Sequence, residues 1–188
     1  MNLTIADKKE LLQLARESIQ TILKDAPPPK GDYSSAKLNE LSGAFVTLHL
    51  LGELRGCIGY VEARFPLWRT IEEAAQKAAF EDPRFPPLTQ REFADVEIEI
   101  SVLSPLKKIT DVAEIEVGKH GLVVDAGYTR GLLLPQVATE YGWGREQFLS
   151  HTCRKAGLPA DAWKTKSVAI FTFTSDVFSE ADLTTNVH

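Results

Sequence analysis

The fold of this chain is decided by the stretch Phe45-Val46-Thr47-Leu48-His49-Leu50-Leu51-Gly52-Glu53-Leu54-Arg55-Gly56-Cys57-Ile58-Gly59-Tyr60. Its first part alternates apolar with mixed side chains, which is typical of a strand with one buried face. Leu51-Gly52-Glu53 favours a tight turn, so Leu54–Val61 would pair back on Gly43–Leu50 as a hairpin. Because this short hairpin is the clearest connection in the chain, we predict an α+β fold. We expect a mixed, mainly antiparallel sheet with flanking helices rather than a doubly wound sheet.

Hydrophobic periodicity predicts the remaining elements. Helices are predicted over Asp7–Lys24, Pro66–Phe80, Pro135–Tyr141 and Arg145–Ala156, and strands over Val96–Leu103, His120–Asp125, Arg130–Leu134 and Val168–Thr174. We expect the strand over Val168–Thr174 to be the last strand of the chain. Because it is apolar on both faces, we also expect it to be central in its sheet. Thr4 and Asp7 are the candidate caps of the first helix. The polar segment Lys30–Leu41 indicates a surface loop or arm, and Asp111–Val117 fits no single element.

Length and composition limit the classes of protein. The 188 residues, 44% of them hydrophobic, fit one domain over 1–188, or one domain with a subordinate lobe. The net charge is −5 and no basic patch is visible, so nucleic acid is not expected as a partner. No apolar run reaches membrane-spanning length and no signal peptide precedes the first helix, so we expect no membrane association. The two cysteines, Cys57 and Cys153, are too few for a disulfide framework and predict free thiols in the cytoplasm.

Arg55 and Cys57 are the first candidate site residues. Strict strand alternation would place them on one face with Gly59, with successive positions on that face about 7 Å apart. A nearby guanidinium favours thiolate over thiol, so Cys57 is a candidate nucleophile or thiol ligand, and Arg55 is its electrostatic partner or an anion clamp. Gly56 and Gly59 would allow a substrate to approach the backbone. The alternative is that Cys57 is a small buried apolar residue and that Arg55 pairs with a structural carboxylate.

A catalytic cysteine usually needs a base, and His49 is the nearest histidine by topology because its strand pairs with that of Cys57. A lone histidine on a strand, however, is more often an ordinary surface or core residue. Glu99 lies on a strand face with other polar residues. If that strand neighbours the strand of Cys57, Glu99 could meet Arg55 as a buried ion pair that orients the guanidinium.

The loop Glu81–Pro87 contains three prolines and cannot form regular structure. It carries Asp82 and Arg84, which could form the wall of a polar pocket as substrate-binding residues. An ordinary helix-to-strand connector with a local Asp–Arg pair explains the same sequence equally well.

No motif predicts a metal or a cofactor. His151 and Cys153 are two positions apart on a predicted helix and therefore point in different directions. The segment Gly127–Gly131 lacks the lysine and hydroxyl residue of a phosphate loop and does not match the dinucleotide fingerprint. We therefore expect neither a structural zinc nor a resident cofactor.

Several blocks of the sequence resemble the AMMECR1 domain family. Leu54-Arg55-Gly56-Cys57-Ile58-Gly59 is similar to the signature hexapeptide of that family. Further similar blocks lie at Gly43–Leu48, Ala78–Phe85, Glu99–Pro105, Gly118–Leu122, Gly131–Ala138, Cys153–Leu158 and Trp163. Together they cover residues 43–180. The chain most resembles the stand-alone prokaryotic members, including protein A of the AmmeMemoRadiSam system.

The resemblance implies an α+β fold of two unequal lobes, with the signature near a cleft between them. It also implies a Memo-like protein and a radical SAM protein as companions, but no established reaction. One hypothesis is an enzyme or enzyme component that binds a small anionic or thiol-reactive substrate at a cleft formed by Arg55 and Cys57. A second hypothesis is a non-catalytic adaptor that binds the Memo-like or radical SAM protein. In the third, the glycines and Cys57 serve only tight packing between the lobes.

Overall fold

The computed structural model describes residues 3–27, 29, 33 and 35–184. Contacts divide the chain into two compact units, Met1–Leu103 with Asp176–His188, and Ser104–Ser175. The helices are α1 (Ile5–Lys24), α2 (Leu67–Phe80), α3 (Gln90–Phe93), α4 (Pro135–Glu140), α5 (Arg145–Lys155) and α6 (Glu180–Thr184). The strands are β1 (Ala44–Leu50), β2 (Glu53–Tyr60), β3 (Val96–Leu103), β4 (Lys107–Ile109), β5 (Gly121–Asp125), β6 (Arg130–Leu133), β7 (Ala169–Phe173) and β8 (Ser175–Ser179). Short 3-10 helices occupy Ala36–Asn39, Val112–Glu114 and Ala162–Lys164. The α+β prediction is confirmed.

The first helix begins with the predicted cap. The Thr4 hydroxyl accepts a hydrogen bond from the Asp7 N–H at 3.2 Å, and the Asp7 carboxylate accepts one from the Thr4 N–H at 2.7 Å. This reciprocal pair satisfies two backbone donors that the first helical turn leaves open. Of the predicted surface arm over 30–41, Lys30, Gly31, Asp32 and Ser34 lie outside the described residues. Its described part forms the 3-10 helix Ala36–Asn39 and buries Leu38 in the core.

The first unit is built on the predicted hairpin. β1 pairs antiparallel with β2 and, on its other side, with β3, in a sheet of order β2-β1-β3-β8. The turn uses Leu51 at φ 53° and Gly52 at φ 86°, and two successive positive φ angles match the right-handed twist of a hairpin.

One face of this sheet is apolar. Alternate residues of β1 and β3, such as Val46 and Ile98, are fully buried in one core with side chains of α1 and α2, such as Leu11 and Ile71. The intervening residues of both strands therefore point to the opposite face of the sheet.

The second unit has its own antiparallel sheet, of order β4-β7-β5-β6. Its core contains side chains from the sheet and from α5, among them Leu122, Phe148 and Ile170. β7 is central, as predicted from its apolar faces, but it is not the last strand, because β8 follows it directly and joins the sheet of the first unit.

The strands therefore form two sheets rather than the single one that was predicted. β4 was not predicted because Lys107–Ile109 has only three residues. β8 was not predicted because Ser175–Ser179 shows no clear alternating pattern.

Candidate functional site

A β-bulge in the signature segment decides where its side chains lie. On β1, His49 pairs with Leu54 and the preceding residue, Leu48, pairs with Gly56. Arg55 has no pairing partner on β1 and is therefore an extra residue on β2. A bulge interrupts the strict alternation of a strand. The prediction that Arg55 and Cys57 act together from one face rested on that alternation, and the contacts of the two side chains contradict it.

Arg55 is held by the segment that follows α2. It is only 7% exposed, and its Nε donates to Glu92 Oε1 at 3.0 Å while its Nη2 donates to the Pro86 carbonyl at 2.9 Å. The Arg55 hydrogen bond is the largest cause that lowers the pKa of Glu92, to about 2. Glu92 also completes a capping box with Thr89 at the start of α3. The expected ion pair with Glu99 is therefore wrong: Arg55 pairs with the structural carboxylate of Glu92.

Cys57 lies in a polar row that crosses three strands. Thr47 of β1 pairs with Cys57 of β2 on one side and with Glu99 of β3 on the other. Paired residues of neighbouring antiparallel strands have Cβ atoms about 4.5–5.5 Å apart, so the three side chains form a line, here called the Cys57 row. The Thr47 hydroxyl donates to Cys57 Sγ at 3.3 Å. All three residues are half-buried, on the sheet face opposite the apolar core. Glu99 thus neighbours Cys57 across Thr47, without any part played by Arg55.

The Glu81–Pro87 loop is attached to Cys57 through Asp82. Asp82 is 4% exposed, and its Oδ2 accepts from the Cys57 N–H at 2.9 Å and from Arg84 Nη2 at 2.7 Å. Its Oδ1 accepts from the Arg84 N–H at 3.1 Å and from Arg84 Nε at 3.0 Å. These bonds, those of Arg84 first, hold the pKa of the Asp82 carboxyl well below its usual range. The loop is thus more than a connector with a local ion pair, because the same carboxylate binds the strand backbone.

Arg84, rather than Arg55, is the cation beside Cys57. Its Nη2 approaches the Cys57 carbonyl oxygen at 3.4 Å, and 52% of its side chain is exposed. Within the described residues, its Nη1 makes no hydrogen bond. A guanidinium that is anchored through Nε and Nη2 and free at Nη1 can donate to a ligand without moving.

The Cys57 thiol is not pre-ionised. Burial is the largest influence and raises its pKa above the usual value of 9.0, whereas the Thr47 hydrogen bond and the charge of Arg84 act in the opposite direction. Asp82 and Glu99 add small contributions that raise the pKa further. The prediction of a thiolate stabilised by Arg55 is therefore wrong both in the partner and in the direction of the shift. At neutral pH Cys57 is a half-buried thiol.

His49 is not joined to the thiol. It pairs with Leu54 on one side and with Glu97 on the other, one pair further along the sheet than Thr47. In the part of the chain that the structure describes, no hydrogen bond links His49 to Cys57, and the thiol is bonded to Thr47 instead. The structure thus does not bring the predicted base and nucleophile into a hydrogen-bonded pair.

The two signature glycines accommodate the protein itself. A Cβ at Gly56 would lie 2.1 Å from the Ala78 carbonyl oxygen of α2, and a Cβ at Gly59 would lie 2.4 Å from the Phe45 ring. Real Cβ atoms do not approach other atoms so closely, so only glycine fits at either position. The predicted role of both glycines in substrate approach is wrong, because the space beside them is filled by α2 and by Phe45.

Thr47 and Glu92 were not predicted as site residues from the sequence. Without the bulge, the hairpin register would place Thr47 opposite Gly56, so no local pattern pairs it with Cys57. Glu92 carries one available signal, since Thr89 and Glu92 have the spacing of a capping box, but that signal predicts a helix start and not an arginine partner.

Among the described residues, no group of three or more His, Cys, Asp or Glu is placed to hold a metal ion. No described helix has both the length and the apolar character needed to cross a membrane.

Comparison with known proteins covers nearly the whole chain. A family model described as AMMECR1 matches residues 12–178. Protein MJ0810 of Methanocaldococcus jannaschii is 47% identical over 152 residues, which are 77% of this chain and 76% of that protein. Protein NEQ441 of Nanoarchaeum equitans is 40% identical over 90% of this chain and 98% of its own length. The crystal structure of the uncharacterized protein PH0010 from Pyrococcus horikoshii superposes with a TM-score of 0.85 at 39% identity, and covers 91% of this chain and 90% of that one. None of these three names states an activity.

Proposed function

The chain belongs to the AMMECR1 family, and because the names of the three relatives reported above state no activity, we propose a function from the geometry of the site. We propose that Arg84 and the Cys57 row bind a small anionic or thiol-reactive molecule, and that the protein is an enzyme or a component of one. One observation carries the proposal: buried Asp82 binds both the Arg84 side chain and the Cys57 backbone. This fixes a half-exposed guanidinium beside a half-buried thiol.

Each group has a distinct part in the proposed binding. Arg84 Nη1 donates to the anionic group of the ligand, because Nε and Nη2 are already engaged by Asp82. Cys57 Sγ contacts the reactive or polarisable atom. The Thr47 hydroxyl donates to the sulfur and would stabilise negative charge that develops there. Because burial raises its pKa, the Cys57 thiol is protonated at neutral pH. Reaction at Sγ therefore requires that the thiol lose its proton to solvent as the bond between Sγ and the ligand forms.

The test uses two disulfide reagents of different charge. The Cys153→Ala background leaves Cys57 as the single thiol, and its labelling is followed with dianionic 5,5′-dithiobis(2-nitrobenzoate) and with neutral 4,4′-dithiodipyridine. With both reagents, the rate should rise with pH to a midpoint above the usual thiol pKa, because burial raises the pKa of Cys57. Arg84→Gln should slow the anionic reagent about fivefold more than the neutral one, since an exposed charge pair contributes up to about 1 kcal/mol.

Arg64→Gln is the matched control. Arg64 belongs to the same unit, pairs with Glu62 and is more exposed than Arg84. It should leave the ratio of the two rates unchanged. Labelling of Cys57 by both reagents only at the rate of global unfolding, or a rate ratio that Arg84→Gln does not alter, would show that the site does not admit an anionic ligand.

The proposal also includes the protein's partners and its cellular compartment. As the alternative, we propose that the surface around Arg84 and the Cys57 row binds a Memo-like or radical SAM protein. The resemblance to protein A of the AmmeMemoRadiSam system supports this alternative. Arg55 is too buried to contact such a partner, so a pull-down that tests docking should substitute Arg84. The free thiols of Cys57 and Cys153 support a reducing, cytoplasmic location.

A further inference from the structure

The second unit contains an open pocket of about 750 Å³ that none of the predicted site residues lines. It is bordered by β4, by the turn after β5, and by the segment from the 3-10 helix Ala162–Lys164 into β7. Its volume falls within the range of about 300–1,000 Å³ that is usual for small-molecule sites. The pocket lies wholly within one compact unit, so its shape is set by that unit alone.

The charge of this pocket is positive. Lys108, Lys164 and Lys166 line it, and within the described residues none of the three forms an ion pair. The carboxylate in the lining, Asp125, is already bound by Arg130, whose Nε donates to it at 3.0 Å. Because the whole chain has a net charge of −5, three unpaired lysines in one concavity do not reflect a generally basic protein.

The same pocket offers an aromatic surface. Trp163 lines it, with Lys164 Nζ 5.1 Å from the ring centroid, and Ile109 and Ile170 add aliphatic surface. Trp163 Nε1 is buried and has no hydrogen-bond acceptor among the described residues. That nitrogen is closed to solvent, so the ring of Trp163, rather than its N–H, is the part that a ligand in the pocket would contact.

We propose that this pocket binds a small organic anion, a phosphate ester or a carboxylate with a flat apolar part. The three lysines neutralise the anionic group, and Trp163 with its aliphatic neighbours contacts the apolar part. None of the residues that line this pocket belongs to the Cys57 row.

In the test, the full chain is titrated with phenyl phosphate. Binding is measured by calorimetry and by changes in backbone amide chemical shifts. The pocket variant is Lys108→Gln/Lys164→Gln/Lys166→Gln. The control, Lys107→Gln/Lys119→Gln/Lys155→Gln, removes the same charge from the same unit. Wild-type protein should saturate, with shifts concentrated at residues 108–112 and 163–170. The pocket variant should bind about tenfold more weakly, because each screened lysine contributes a factor of about two to three. The control should stay within about twofold of wild type.

Three results would overturn the proposal. The first is binding that does not saturate by about 10 mM phenyl phosphate, because such an affinity is too weak for a specific site. The second is an equal loss of binding in both triple variants. The third is a set of amide chemical-shift changes that map only to another region. Inorganic phosphate should bind more weakly than phenyl phosphate, and equal affinities would refute the part assigned to Trp163. Arg84→Gln should leave the chemical-shift changes at residues 108–112 and 163–170 unchanged, because Arg84 does not line the pocket, so failure here is distinguishable from failure at the Cys57 row. Circular dichroism of every variant confirms that the fold is retained.

Discussion

Asp82→Asn should release the Glu81–Pro87 loop from β2 and destabilise the protein. The Asp82 carboxylate accepts four hydrogen bonds, one from the Cys57 backbone and three from Arg84. Asparagine has nearly the same size but no charge, and its NH₂ group would face donors where an oxygen now accepts. The substitution therefore removes the link between the loop and β2 without creating a cavity.

The expected loss of stability follows from these contacts. Removing one partner of a buried ion pair costs about 3–5 kcal/mol. Arg84 is half exposed and can turn toward water, so we expect the lower end, about 3 kcal/mol. For a chain of this size that loss corresponds to a decrease in Tm of roughly 6–12 °C. Urea unfolding followed by far-ultraviolet circular dichroism, together with calorimetry at pH 7, measures both quantities.

The pH dependence has a defined sign. The pKa of Asp82 in the folded protein is depressed below its usual value of 3.8. Its contribution to stability is therefore fully present above the unfolded value and is lost as pH falls toward the folded one. The difference in unfolding free energy between wild type and Asp82→Asn should be constant from about pH 7 to pH 5 and should shrink below about pH 4.

Asp95→Asn is the matched control, because Asp95 is exposed in the same unit and its side chain makes no hydrogen bond or ion pair among the described residues. It should change stability by no more than about 0.5 kcal/mol. If Asp82→Asn is no more destabilising than Asp95→Asn, or if its deficit does not shrink in acid, Asp82 does not hold the loop to the strand. The proposed placement of Arg84 would then lose its support.

The packing around the signature can be tested at Gly56 and at the Arg55–Glu92 ion pair. Gly56→Ala should cost about 2–3 kcal/mol in urea unfolding, because its Cβ would lie 2.1 Å from the Ala78 carbonyl oxygen. Gly144→Ala, with φ −76° and nothing within 4 Å, should cost no more than about 1 kcal/mol, because Gly144 is the N-cap of α5 and alanine is a poorer N-cap than glycine. A double-mutant cycle of Arg55→Met and Glu92→Gln should give a coupling of about 1–3 kcal/mol in the same assay. Equal effects of the two alanine substitutions, or a coupling below about 0.5 kcal/mol, would contradict the observed contacts.

Much of the fold was predictable because its signals are local. Thr4 and Asp7 form their capping box within one helical turn, and Gly52 supplies a positive φ within the hairpin turn. The alternation in β3 needs only one buried face to be recognised. Hydrogen bonding and side-chain period over a few residues determine such features, so the sequence by itself predicted α1, the β1–β2 hairpin and β3.

The candidate site was decided by long-range register. Without the bulge, Cys57 would pair with Val46 and face the apolar core, and Thr47 would pair with Gly56. The extra residue at Arg55 shifts the pairing by one position, which moves Cys57 to the polar face opposite Thr47 and directs Arg55 to Glu92. The sequence by itself indicated which residues are chemically unusual and that a polar loop follows α2. Only the tertiary structure decided their partners, because a one-residue shift in register reverses the face of every following side chain and cannot be inferred from a strand alone.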